Sequence, residues 1–209
     1  MRTAQWAGIA TLGPLVGCGS LLPTPPPAPS LFALDDAAAP TAPRPAPSAN
    51  APTLIVNVPR AAAGFDGTRI VYVRQAHALE AFAYSQWVDT PALMLAPLIA
   101  QAIERTGAFR AVLRAPTAAT GELRLDTDLI RLQHEVTAAP SRVRLTLRAV
   151  LVEPATRRVV ASREFDTSVV SASEDTYGGV LAANEAVKAL LAELATFCAQ
   201  AAAAMTAAR

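Results

Sequence analysis

The chain has 209 residues, 52% of them apolar and 17% charged, with a formal net charge of +1. That balance leaves no basic footprint for nucleic acid, and the positive charge is carried almost wholly by arginine, with Lys188 the only lysine. At this length one domain plus a tether is expected.

The chain opens on one basic residue, Arg2, and an apolar run from Trp6 to Val16. The run is far shorter than the ~20 residues of a spanning helix, and Gly13-Pro14 interrupts it. This is the order of a signal peptide: positive start, apolar middle, small-residue cleavage site. The site itself, Leu15-Val16-Gly17-Cys18, resembles the bacterial lipobox. That resemblance implies a signal peptide over residues 1–17 and a mature chain beginning at Cys18. Diacylglycerol would then sit on the cysteine sulfur and an N-acyl chain, palmitate or similar, on the new amine. No other cofactor is expected. One acyl chain binds a membrane marginally and two bind stably, so a Cys18 modified in this way stays with its membrane. The competing readings are an uncleaved anchor or an apolar N-terminus on a soluble chain. With Cys18 modified, Cys198 has no disulfide partner in the chain. It reads first as a small apolar residue on a helix, and second as an exposed thiol that pairs between subunits.

Residues 18–52 read as a tether, because ten of the seventeen prolines fall between residues 19 and 52, among Ala, Ser and Thr. Such a composition cannot bury enough apolar surface to offset its ordering entropy, and 34 residues at ~3.1 Å each reach about 100 Å. An apolar island, Leu31-Phe32-Ala33-Leu34, interrupts the tether and is expected to dock as a short edge strand.

Residues 53–209 read as the folded domain. Thr53 to Val58 is β-rich and stopped by Pro59, and Thr68 to Arg74 is a second strand after turn residues Gly64, Asp66 and Gly67. Leu79 to Trp87 alternates and pairs back as a hairpin. Thr90, as N-cap, and Pro91, at the first helical position, open a helix. Its apolar residues Leu95, Leu98, Ile99, Ala102 and Ile103 recur at three and four, and Gly107 ends it. Leu93, Met94 and Leu95 suggest an apolar exposed side. Phe109 to Leu113 is short and β-like. Glu122 to Val136 is a long strand whose phase slips at Leu129-Ile130, as a β-bulge would make it. Arg142 to Glu153 and Val159 to Val170 alternate again around the turn at Pro154. Arginines face acidic residues along one side of these strands, so cross-strand ion pairs on a solvated face are expected. A final helix runs from about Ser173 to Met205, with Val180, Val187, Leu190, Leu191, Leu194, Phe197 and Cys198 as its stripe. The fold class is therefore α+β: a two-layer sandwich with a mainly antiparallel sheet and two helices packed on one face.

Signatures of catalysis do not emerge. His77 and His134 lack partners at metal-ligand spacing and read as surface residues; there is no nucleophile elbow or phosphate loop. Asp126 and Asp128 share a strand face like a catalytic carboxylate pair, but Arg124 and Arg131 nearby favour solvated ion pairs. Trp87 reads first as a core anchor at the strand-to-helix corner and second as a contact with lipid or a partner.

Several features then occur in a fixed order: the lipobox cysteine, the island Phe32-Ala-Leu34, a Leu-Ile-Val-Asn-Val strand and Ile70-Val-Tyr-Val-Arg74. Tyr84-x-x-Trp87-x-x-x-Pro91 opening a helix, the Leu-Arg-Leu-Asp-Thr-Asp-Leu strand and a final helix complete the series. Together they resemble the ABC-type transport auxiliary lipoproteins, the family of the lipoprotein of the paraquat-inducible Pqi system, across essentially the whole mature chain. The resemblance implies a non-enzymatic lipoprotein on the periplasmic face of the outer membrane, anchored through Cys18. Its implied partners are an inner-membrane ABC permease and ATPase and an MCE-domain protein bridging the envelope, in transport of lipids or hydrophobic solutes. It gives Trp87 and Pro91 a structural or interface role. Gly19 after Cys18 resembles outer-membrane sorting in enterobacteria. A homo-oligomer, for example a ring, is the hypothesised assembly, because a path on a bridging oligomer's axis suits a symmetric receiver. Two features depart from the family: a longer proline tether, and Phe32 where Tyr is commoner. An envelope-assembly or cell-wall-attachment lipoprotein is the alternative reading of the same anchor and tether.

Overall fold

The structure, a computed structural model, describes residues 27–35 and 45–207. The predicted signal peptide and the lipobox residues Leu15, Val16, Gly17 and Cys18 lie outside the described residues. In chain order the described elements are β1 (Ser30–Phe32), β2 (Thr53–Val56), β3 (Arg60–Ala61), β4 (Arg69–Val73), β5 (Glu80–Trp87), α1 (Pro91–Arg105), β6 (Ala111–Arg114), β7 (Leu123–Glu135), β8 (Arg142–Glu153), β9 (Arg158–Val170) and α2 (Thr176–Ala207).

One long strand organises the sheet. β7 pairs antiparallel with β8 from Arg124 opposite Val152 to Glu135 opposite Arg142, and β8 pairs antiparallel with β9 along its full length. The other side of β7 is shared among three short parallel neighbours: β2 beside residues 123–125, β3 beside 128–129 and β4 beside 134–135. β6 joins β2 in parallel, β5 joins β4 in antiparallel, and β1 lies parallel to β5 at the sheet's edge. The α+β sandwich is as expected, but its sheet is mixed. Chain connectivity explains the mixture: hairpins join β7, β8 and β9, whereas β2, β3 and β4 reach β7 only through a crossover that contains α1 and permits parallel pairing. The register of β7 against β8 shifts between Leu129 and Arg131, at the predicted bulge.

The helices form the second layer. α1 lies near β2, β3 and β6, α2 lies over β8 and β9, and the two helices touch each other. Beneath them Leu54, Leu123, Leu125, Leu129, Leu145, Leu147 and Leu151 are fully buried against Ile99, Ile103 and Leu190. α1 stops at Arg105, and Gly107 follows with φ +68°, a left-handed turn that glycine adopts without strain. The start of α2 differs from expectation. Asp175, not Ser173, caps it: one carboxylate oxygen of Asp175 accepts the Gly178 N–H at 2.8 Å, and the Ser173 hydroxyl donates to the same oxygen. An acceptor at that position satisfies a helix-start N–H that has no partner within the helix.

α2 is long and apolar enough to cross a membrane by length and composition. Much of that apolarity is alanine, and Leu190, Leu194 and Cys198 along its inner stripe are fully buried in the core.

Candidate functional site

The corner where β5 turns into α1 carries Trp87 and Pro91. Trp87 is 4% exposed, its backbone N–H donates to the Thr68 carbonyl at 2.8 Å, and it lies beside Phe32 in the β1 register. Pro91 begins α1 and is buried; the first helical position needs no N–H, so its ring costs the helix nothing there. Thr90 has the extended backbone of an N-cap (φ −61°, ψ 142°), but its hydroxyl makes no capping bond, contrary to expectation. Its own N–H is donated instead to Asp89 Oδ1 at 2.7 Å. Met94 and Leu95 also depart from expectation: both are buried in the core, and of the three only Leu93 is exposed.

Around this corner residues 30–35 form a strap. The Val88 N–H donates to the Phe32 carbonyl at 2.8 Å, and the Leu34 N–H points at Met94 Sδ at 3.5 Å. Asn184 on α2 clips the strap from the other layer, accepting from the Asp35 N–H at 2.9 Å and donating to the Ala33 carbonyl at 3.2 Å. Leu34 is buried as a result. The fold therefore reaches back beyond Thr53, and residues 48–52 belong to it too: Ala51 is buried and the Pro52 carbonyl accepts the Arg110 N–H at 3.0 Å.

A buried polar pair lies at the far end of β7. His134, expected at the surface, is 2% exposed and so is Ser141, with His134 Nε2 and Ser141 Oγ 3.0 Å apart. The bulge explains the error. Before it the odd residues 123, 125, 127 and 129 face the core; after it the even ones, 132 and 134, do. His134 Nδ1 has no hydrogen-bond partner among the described residues and packs against Gly179 in the first turn of α2. Burial lowers the His134 pKa from its usual range, against the opposing pull of Glu174 and Asp175. A serine at this distance from an imidazole is the geometry of an activated nucleophile, but neither atom is open to a substrate, and Nδ1 faces a glycine instead of an orienting carboxylate. His77 is exposed, in a turn with φ +69°.

Many polar side chains of the outer sheet face pair with one another. Asp126 accepts from Arg124 at 2.9 Å and from Asn57 at 2.6 Å, and Asp128 pairs with Arg60 at 2.9 Å. The two carboxylates thus join solvated ion pairs, as their neighbours in sequence suggested, with Arg60 a partner not foreseen. Across the β8–β9 ladder, Arg144 pairs with Asp166 at 2.7 Å and Arg148 with Glu164 at 3.0 Å. Hydrogen bonds from Arg144, and from Thr146, hold the Asp166 carboxyl down at about 2. Cys198 is fully buried, and burial pushes its thiol up to about 12, so it supplies no thiolate nucleophile and no intersubunit disulfide. Among the described residues no three of His, Cys, Asp and Glu are grouped to hold a metal.

Two helices over a mixed sheet, with a His–Ser pair closed to solvent beneath α2 and ion pairs along the outer face, define a class: a two-layer α+β sandwich domain. The sequence pattern of the family described as ABC-type transport auxiliary lipoprotein component matches residues 32–195, and the chain belongs to that family. Among solved structures, protein XCC0632 from Xanthomonas campestris, of the family DUF330, superposes with a TM-score of 0.68 at 24% identity, over 82% of this chain and 96% of that one. An uncharacterised protein superposes with a TM-score of 0.56 at 12% identity, over 86% of this chain and 97% of that one. At these identities the likeness shows the fold. No curated protein matches the sequence.

Proposed function

We propose that this chain is the outer-membrane lipoprotein of an ABC/MCE-type system that moves lipids or hydrophobic solutes between membranes, facing the periplasm, and that its role is positioning and not catalysis. The observation that carries this reading is the family match across residues 32–195 on a chain whose residues 15–18 spell a lipobox. In this account Cys18 carries the acyl chains and the ATPase supplies energy at the inner membrane. The MCE-domain protein provides an apolar path, and this domain receives its far end. Acylation of Cys18 by two or more chains holds the domain at the membrane without a spanning helix. Trp87 and Pro91 act through structure, fixing the corner that seats the strap. A homo-oligomer, with a ring as its simplest closed form, suits reception of a path on a symmetry axis.

The test is co-purification of the chain from membranes beside a Cys18→Ala control. Recovery of an MCE-domain protein with the permease and ATPase supports the reading, and the control should lose membrane association. Recovery of only outer-membrane assembly factors or peptidoglycan overturns the transport assignment.

A further inference from the structure

The strap lies where the folded body meets the chain leading to Cys18. Eleven residues, 19–29, separate Cys18 from β1. At ~3.1–3.6 Å per residue they span at most about 40 Å. The body is therefore held by its β1 end, and the β9 edge lies on the other side of the sheet.

That end carries exposed apolar side chains on both layers. Leu31 in β1 and Val88 just beyond β5 are 62% and 53% exposed. They share the face turned away from Trp87, because alternate strand residues point to the same side. On the helix layer Leu93 lies beside Met94, the residue under the strap, and is 47% exposed. Tyr177 and Leu181 precede Asn184 by seven and three residues, so they stand on the same face of α2 as the residue that clips the strap. They are 60% and 46% exposed. The charged residues of the surrounding segments are mostly acidic, Asp35, Asp89, Glu174, Asp175 and Glu185 against Arg69 and Lys188, so no basic cluster selects anionic lipid.

We propose that this rim around β1, made by Leu31, Val88, Leu93, Tyr177 and Leu181, docks into the interfacial zone of the bilayer that holds Cys18. This rests on the acylation of Cys18 under the proposed function. Exposed apolar groups ringed by polar ones mark interaction surfaces, and an aromatic residue with a polar tip suits the boundary between lipid and water. Chain length commits the rim to the bilayer, because the eleven-residue link keeps it within reach of that surface whenever the anchor is inserted. The domain then sits against the membrane by its β1 edge, with the β9 edge turned away.

The full acylated chain is reconstituted into vesicles of phosphatidylethanolamine and phosphatidylglycerol that contain brominated lipid, with an environment-sensitive fluorescent residue in place of Leu181 or, as control, of Val159 in β9. The expected result is loss of emission at Leu181 and none at Val159. The double substitution Leu31→Asp and Leu93→Asp restores emission at Leu181 while the protein still sediments with the vesicles. Equal quenching at both positions, or none at either in a chain that sediments, overturns the docking and leaves the anchor standing. A chain that gains no acyl mass and stays in the supernatant overturns the anchor and the docking together. Shielding of Leu181 that persists without vesicles identifies a second copy as the occupant and also overturns the proposal.

Discussion

The two halves of the sheet are built by different means. In β7, β8 and β9 twelve or thirteen residues run side by side, joined by hairpins, with leucines on the dry face and a ladder of arginines and carboxylates on the wet one. The half formed by β1 to β6 is a patchwork of strands two to eight residues long, mostly parallel, assembled against one side of β7 and at its outer edge tied by single clips such as Asn184. The first half is stable through continuous burial. The second depends on corners and short contacts, and it is the half that carries the strap and so the N-terminal side of the chain. Local opening free energies vary within a fold, and binding surfaces are drawn from the less stable parts.

The largest effect should come from the long-strand half. Leu147→Ala removes a fully buried side chain from the middle of β8 and should cost about 3 kcal/mol across one cooperative urea transition; a transition in which only the patchwork half melts would break the comparison. Next is the seam between the halves and α2. A Cβ on Gly179 would stand 2.7 Å from His134 Nδ1, whereas one on Gly67 meets nothing within 4 Å. Gly179→Ala should therefore lose about 1–3 kcal/mol to overpacking, and Gly67→Ala should change stability little.

Asn184→Ala removes both side-chain bonds to the strap and should cost about 1 kcal/mol. Its signature should be local, with faster hydrogen exchange at Phe32 and Leu34 and unchanged protection in β8; uniform loss would mean that the strap is part of the global core. The smallest effect is one of pH. The His134 pKa is lowered in the fold by burial, so the unfolded chain takes up the proton first, near pH 6.5. Stability is complete above that pH and declines as pH falls from 6.5 towards the lowered native value. His134→Gln should flatten the dependence of Tm on pH below about 6.5; an unchanged slope would assign it to other groups.

The same contrast decides what could be read from the chain alone. Alternation over a dozen residues is a strong periodic signal, and Arg142–Glu153 emerges with the boundaries it has in the structure. A two-residue strand such as β3 carries no period at all, and which strand lies beside which is set by crossovers that leave no local mark. His134 is the instructive case, because the phase slip at Leu129-Ile130 already implied that the even residues beyond it turn inward. Carrying the slip forward would have placed His134 in the core; only its pairing with Ser141 and Gly179 needed the structure. At the corner, Trp87 and Pro91 stood out by residue type, whereas Asp89, Asp175 and Asn184 act through contacts that spacing does not encode. Cys18 and the proposed lipobox lie outside the described fold, so their reading rests on residues 15–18 of the sequence.

The parallel pairing of β1 with β5 also sets how the body responds to a pull. Tension from the N-terminal side acts along β1, so its hydrogen bonds to β5 and the Asn184 clip are loaded together in shear instead of being opened one by one. Only three paired residues share that load. Against the full-length ladders of β7, β8 and β9 that is little, so the strap should give way to such a pull before the long strands do.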